Sequence, residues 1–120
     1  MRKTLIALSV IAASLSLNVA AQERLTGESV WQKHNCASCH GDDAKSPIMD
    51  AYPILAGQHA KYLAQSLHAY KRGQAGAPAT SNIRKNAVMG ALVVNLTAEE
   101  IEAVSAWLAT LDSPLSNRRN

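Results

Sequence analysis

The clearest hydrophobic pattern lies near the end of the chain, where apolar residues recur at intervals of three and four. They are Ile101, Val104, Trp107, Leu108 and Leu111. Directly before them, Thr97-Ala98-Glu99-Glu100 has the form of a capping box, in which the two end side chains accept the free N–H groups of a first helical turn. The pattern predicts an amphipathic helix that starts after Thr97 and ends before Ser113-Pro114.

Two more helices are predicted upstream. The first begins after Thr26, a possible N-cap, and reaches about Asn35. The second runs from about Gly57 to Arg72, has apolar residues three and four apart, and is expected to stop at Gly73. The segments 41–53 and 74–86 contain mainly small, polar and turn-forming residues and are predicted to be loops. The fold class is therefore all-α, with three to five short helices.

The N-terminus has the pattern of a signal peptide. Arg2 and Lys3 precede an apolar run, and Val19-Ala20-Ala21 offers the small residues of a cleavage site. We expect a signal peptide over residues 1–21 and one domain over residues 22–120. The apolar run of about 13 residues is shorter than the roughly 20 that span a bilayer, so stable membrane insertion is not expected. An uncleaved anchor is the alternative.

Charge and composition exclude some classes of protein. The chain has 120 residues, of which 48% are hydrophobic, so it is neither disordered nor fibrous. Its net charge is +3, but loss of Arg2 and Lys3 with the signal peptide takes the 12 basic residues to 10, against 9 acidic ones. A nearly neutral domain has no electrostatic footprint for nucleic acid.

The sequence Cys36-Ala37-Ser38-Cys39-His40 carries the candidate chemistry. C-x-x-C-H is the spacing of c-type haem attachment, in which two thiols bond to the two vinyl groups and the histidine binds the iron. A redox dithiol, half of a zinc site and a plain disulfide are the alternatives. The histidine directly after the second cysteine favours attachment of one haem c through Cys36 and Cys39, with His40 as an iron ligand.

The chain resembles the class I cytochromes c. It shares with them an attachment motif at the end of the first helix and a glycine and an aromatic residue, Gly27 and Trp107, where the terminal helices cross. The segments 53–59 and 86–89, together with Tyr62-Leu63, further resemble one domain of the two-domain dihaem cytochromes c of bacterial respiratory chains. The resemblance implies helices wrapped around a haem, export to the periplasm, and a methionine ligand on a late loop.

Met89 is the favoured sixth ligand, both from the resemblance and because it lies about fifty residues after the attachment motif, between a loop and the capped helix. The alternative is that Met89 binds no metal and is a core methionine packed beside Val88 and Leu92. Met49 is expected on the histidine side of the haem, where it could not bind the opposite face. His34, His59 and His68 lie on predicted helices, and His59 and His68 are expected to be ordinary surface histidines. We also predict that the Pro53 carbonyl accepts a hydrogen bond from Nδ1 of His40.

These residues predict a periplasmic one-electron carrier rather than an enzyme. Its donor would be a quinol-oxidising complex or a dehydrogenase, and its acceptor a terminal oxidase or reductase. Lys33, Lys45 and Lys61 are possible steering charges for docking. The resembling proteins have two attachment motifs and this chain has one, so a homodimer or a haem subunit of a larger oxidoreductase is an alternative. A haem enzyme or gas sensor with a displaceable distal ligand is another.

Overall fold

The computed structural model of the chain describes residues 24–114. Within this range the chain forms five α-helices and one short 3₁₀ helix, and no strand. The helices are α1 (Gly27–Lys33), α2 (Ala37–His40), α3 (Ala60–Gln74), α4 (Ala87–Val93) and α5 (Ala98–Thr110), with the 3₁₀ turn at Ala79–Ser81. The predicted all-α class is confirmed. In the described range, no helix combines the length and the apolar character that crossing a membrane requires. The predicted signal peptide, residues 1–21, lies outside this range.

The first and last helices both begin with capping boxes. At α5, the Thr97 hydroxyl accepts the N–H of Glu100, and the Glu100 carboxylate accepts the N–H of Thr97. At α1, Thr26 and Ser29 exchange the equivalent bonds. These contacts use N–H groups that have no partner inside a helix, so they define where each helix starts. The two predicted helix starts are confirmed.

α1 and α5 cross at Gly27. A Cβ atom built on Gly27 would lie 2.1 Å from the Cβ of Trp107 and 2.3 Å from the carbonyl oxygen of Ala103. Only a residue without a side chain permits this approach. The crossing that the resemblance implied is therefore confirmed, and it buries Val30 against α5.

The second predicted helix has different ends from those expected. α3 starts at Ala60 rather than near Gly57, because Gly57 adopts a left-handed φ of 75° and its N–H donates to the carbonyl of Leu108. It also continues through Gly73, which stays helical, and ends at Gln74. The left-handed glycine that accompanies the end of the helix is Gly76, with φ 76°. A glycine is compatible with a helix interior when another segment occupies the space of its missing side chain, and at Gly73 that segment is the backbone of Arg84.

Met89 lies on a helix, α4, and not on the late loop that was expected. The side chain of Asn86 accepts the N–H groups of Val88 at 3.0 Å and Met89 at 2.9 Å and so starts this helix. Gly90 lies against the Gln74 side chain at the end of α3, where an added Cβ would be 2.6 Å from Gln74 Oε1. Tertiary contact with α3 therefore accounts for this helix better than intrinsic propensity.

Candidate haem-attachment site

The attachment motif occupies one turn of helix. Asn35 adopts a left-handed φ of 51° between α1 and α2, so the chain changes direction directly before Cys36. The N–H of His40 then donates to the carbonyl of Cys36 at 3.1 Å. This i to i+4 bond places Cys36 and His40 on one face of α2, with Cys39 beside them. Two sulfurs and an imidazole are thus presented together by five consecutive residues.

The two cysteines are free, partly buried thiols. Burial raises the pKa of Cys36 to about 11, with a smaller contribution from the nearby Cys39. A redox dithiol requires the opposite, a thiol whose pKa is lowered so that it reacts as the thiolate at neutral pH. Within residues 24–114, no group of three or more His, Cys, Asp or Glu side chains is arranged to hold a metal ion by itself. The raised pKa therefore argues against a redox dithiol, and the lack of such a group within the described residues gives no support to a zinc site.

His40 is buried, with 5% of its surface exposed. Its Nδ1 lies 3.0 Å from the carbonyl oxygen of Pro53, which confirms the predicted hydrogen bond. The ring also packs near Trp31 and Tyr52, with centroid distances of 6.2 and 6.1 Å. Burial lowers the pKa of His40, and the Pro53 hydrogen bond opposes this only in part, so the environment favours the neutral ring. A neutral imidazole that donates through Nδ1 has Nε2 free for a metal ion.

A closely bonded loop brings Pro53 to His40. The Asp43 carboxylate accepts the N–H groups of Lys45 and Ser46 and the hydroxyl of Ser46, which forms the first turn of the loop. The buried Ala44 then accepts the N–H groups of residues 55 and 56 through its carbonyl. Pro53 lies in the segment between these two sets of hydrogen bonds, which together fix its position. The aspartate and proline content that predicted a loop here also fixes its shape.

Among the candidate sixth ligands, Met89 is partly buried and packs against the hydrophobic core from α4. Met49 is 52% exposed in the loop that contains Pro53. The Nε2 atom of His34 lies 3.2 Å from a carboxylate oxygen of Glu100, and His68 lies 3.6 Å from Glu102. His59 stands at the start of α3 and is exposed. The structure therefore places Met89 on a different element from the attachment turn, and it gives His34 and His68 carboxylate partners.

Glu100 is a residue whose importance the sequence showed only in part. Besides capping α5, its carboxylate accepts a hydrogen bond from Lys33 at 2.6 Å and lies beside His34, at the end of α1. It is 3% exposed, and the Lys33 hydrogen bond is the main cause that lowers its pKa to about 2. Glu100 thus connects the chain just before Cys36 to the start of α5. No local pattern could reveal partners that are 66 and 67 residues away.

The arrangement fits a covalently attached haem. The thiols are free, the adjacent imidazole is fixed through Nδ1, and the predicted axial methionine lies on an element packed against the same core. The three groups also have suitable chemistry, since thiols form the covalent bonds and imidazole and thioether are both established haem-iron ligands. The cofactor would in addition supply apolar surface to a domain this small.

Comparison with known proteins agrees with this site. Residues 25–112 match the family described as Cytochrome c. The chain is 32% identical over 76 residues to cytochrome c4 of Azotobacter vinelandii, covering 63% of this chain and 34% of that protein. It is 30% identical over 90 residues to a thiosulfate dehydrogenase electron acceptor of Stutzerimonas stutzeri, covering 73% and 38%. Cytochrome c-554(548) of Halomonas halodenitrificans is 34% identical over 78 residues, covering 62% and 82%.

The relatives differ from this chain in length. It spans 34% of the Azotobacter vinelandii cytochrome c4 and 49% of the cytochrome c4 of Pseudomonas aeruginosa, to which it is 29% identical over 110 residues. The match to the family nevertheless covers all of the described helices. The chain thus belongs to the cytochrome c family, with an all-α class I fold and one haem c attached covalently through Cys36 and Cys39.

Proposed function

We propose that this chain is a periplasmic one-electron carrier whose haem iron is bound by His40 and Met89. The observation that carries the proposal is the buried His40 ring, fixed by Pro53 within the same helical turn as the two cysteines. Bound haem supplies an iron that accepts and releases one electron. The residues of the chain hold that iron in one coordination geometry, so that little has to move when the charge changes.

His40 and Met89 have complementary roles in this proposal. The Nδ1–H of His40 donates to the Pro53 carbonyl, which orients the ring and makes Nε2 a better electron donor to a metal. The Met89 thioether is soft and uncharged, and it stabilises the ferrous state relative to the ferric state. The pair predicts a comparatively high reduction potential and leaves no open position for a substrate.

Absorption spectra of both oxidation states test the ligand pair. We expect a six-coordinate low-spin spectrum in the wild type, with the methionine-to-iron charge-transfer band in the oxidised form. Met89→Ala should lose this band, bind carbon monoxide rapidly when reduced, and have a lower potential. Met49→Ala is the matched control and should behave as the wild type. A wild-type protein that binds carbon monoxide rapidly would instead favour a haem enzyme or gas sensor.

The proposed donor is a quinol-oxidising complex or a dehydrogenase, and the proposed acceptor is a terminal oxidase or reductase. Two relatives are named as electron acceptors of thiosulfate dehydrogenase, which supports the dehydrogenase class. Lys45 and Lys61 are exposed and can steer an acidic partner. The Lys33 amine lies on Glu100, so its charge is partly compensated. The periplasmic location rests on the predicted signal peptide at residues 1–21.

A second candidate is a homodimer or a haem subunit of a larger oxidoreductase. It is favoured by the length of the cytochrome c4 relatives, two to three times the stretch that this chain matches. Co-purification with other subunits would indicate the larger complex, and analytical ultracentrifugation of the haem-loaded protein distinguishes the free carrier from the homodimer. The free carrier sediments as a monomer at all concentrations, whereas the dimer dissociates only on dilution.

A further inference from the structure

The second half of the loop between α3 and α4, residues 75–86, is held to α3 by hydrogen bonds. The Arg72 side chain donates from Nε to the carbonyl of Ser81 at 3.0 Å and from Nη2 to the carbonyl of Asn82 at 2.8 Å. Asn82 has a left-handed φ of 51°, which residues with side chains adopt only infrequently. Charge-assisted hydrogen bonds from one guanidinium therefore hold the loop at a residue with left-handed backbone.

Arg84 makes the second attachment. Its backbone N–H donates to the carbonyl of Ala69 at 3.0 Å, and its carbonyl oxygen would lie 2.1 Å from a Cβ added at Gly73. The Arg84 guanidinium carbon lies 5.4 Å from the centre of the Tyr62 ring and 5.8 Å from that of Tyr70. Nη2 also donates to the Tyr62 hydroxyl at 3.1 Å. Both tyrosines belong to α3, so backbone and side chain bind Arg84 to the same helix.

These attachments are directly connected to Met89. Arg84 is two residues before Asn86, whose side chain accepts the N–H of Met89 and so fixes the first turn of α4. Gly90, which directly follows Met89, lies against the side chain of Gln74 at the end of α3. The backbone around Met89 is therefore located by α3 through the loop on one side and through Gln74 on the other. Release of the loop would remove the first of these supports, whereas the Gln74 contact and the packing of α4 on the core would remain.

We propose that Arg84, assisted by Arg72, is a positioning residue that retains Met89 on the haem iron. This inference rests on the proposed ligation by His40 and Met89. The physical basis is local opening, because a loop without these bonds separates from α3 at a smaller free-energy cost than the whole domain unfolds. Each opening moves Asn86 and the start of α4, and with them the thioether.

The test uses the haem-loaded protein and four variants: Arg84→Ala, Arg84→Lys, Arg72→Ala and, as the control, Lys85→Ala. Lys85 is an exposed cation next to Arg84, so it matches the change in charge. The readouts are the rate of carbon monoxide binding to the reduced form, the methionine-to-iron band of the oxidised form, and amide hydrogen exchange of residues 82–89. We expect Arg84→Ala to bind carbon monoxide between about fivefold and seventyfold faster, the factor that the cation–π contact and the hydrogen bond to Tyr62 carry together.

The outcomes separate this inference from the proposed function. Faster binding in Arg84→Ala and Arg72→Ala, an unchanged Lys85→Ala, and partial recovery in Arg84→Lys support it. If both arginine variants unfold at lower temperature but bind carbon monoxide at the wild-type rate, the arginines are only structural and the inference is wrong. A wild type without the methionine-to-iron band contradicts the ligation itself, and the inference falls with it.

Discussion

At the scale of single residues, Glu100 shows how one buried carboxylate can serve two elements. Its oxygens accept the Thr97 N–H inside α5 and the Lys33 amine from α1. A buried carboxylate is unfavourable unless its oxygens are paired in this way. The contact joins the end of α1, just before Cys36, to the helix that follows α4.

We predict that Glu100→Gln lowers the free energy of unfolding by about 1–3 kcal/mol at pH 7, because the buried side chain loses the charge that pairs with the exposed Lys33 amine. Urea unfolding measures this change. Glu102→Gln is the control, because Glu102 is an exposed carboxylate two residues further along α5. Its free energy of unfolding should stay close to that of the wild type. Equal stabilities of the two variants would contradict the role of Glu100.

The same carboxylate predicts a pH dependence. Its pKa is lowered from an ordinary value of 4.5 to about 2 in the folded chain. The unfolded chain therefore binds this proton more readily, and the stability from Glu100 is present above about pH 5 and lost as the pH falls towards 2. The difference in stability between wild type and Glu100→Gln should shrink over this range. A constant difference between pH 6 and pH 3 would show that the ionised carboxylate is not its source.

At the scale of elements, the crossing of α1 and α5 depends on the missing side chain of Gly27. We predict that Gly27→Ala lowers the free energy of unfolding by about 3 kcal/mol, because both the Trp107 Cβ and the Ala103 carbonyl would have to move. Thermal unfolding of the haem-loaded protein measures it.

Gly76→Ala is the matched comparison for that change. No atom lies within 4 Å of a Cβ added at Gly76, but its φ is 76°. This variant therefore carries backbone strain alone, about 1 kcal/mol. If Gly27→Ala is no more destabilising than Gly76→Ala, the close approach of α5 is not the reason that position 27 needs a glycine.

The elements also show how far the sequence could predict the fold. Capping boxes and the period of three to four are local, so the starts of α1 and α5 and the apolar face of α5 followed from neighbouring residues. The usual rule predicts that Gly73 ends the helix, but the Arg84 carbonyl oxygen occupies the space left by the missing side chain. α4 was missed for a related reason, since the Gln74 contact that accommodates Gly90 comes from another helix. In the site, Cys36 to His40 and the Pro53 bond were predictable, whereas the Glu100 and Arg84 contacts depend on tertiary structure.

At the scale of the whole molecule, the haem and the fold are expected to support each other. A domain of this size buries a modest core, and a covalent haem adds apolar surface to it. We predict that a Cys36→Ser, Cys39→Ser double variant carries no covalent haem by mass spectrometry under denaturing conditions. It should also unfold at lower temperature and less cooperatively by circular dichroism. Ser38→Ala, between the two cysteines, is the control and should retain the cofactor. Covalent haem in the double variant would overturn the assigned attachment.

The contact between Gly27 and Trp107 has a kinetic consequence. The two residues are 80 positions apart, so their contact closes a large part of the chain into one loop before α1 and α5 can pack. Contacts of such separation slow folding, because the entropy of closing the loop is lost before the contact contributes. A chevron plot of Gly27→Ala reveals when the crossing forms. A change confined to the unfolding arm places the docking of α1 on α5 after the folding transition state, whereas a slower folding arm makes it part of the nucleus.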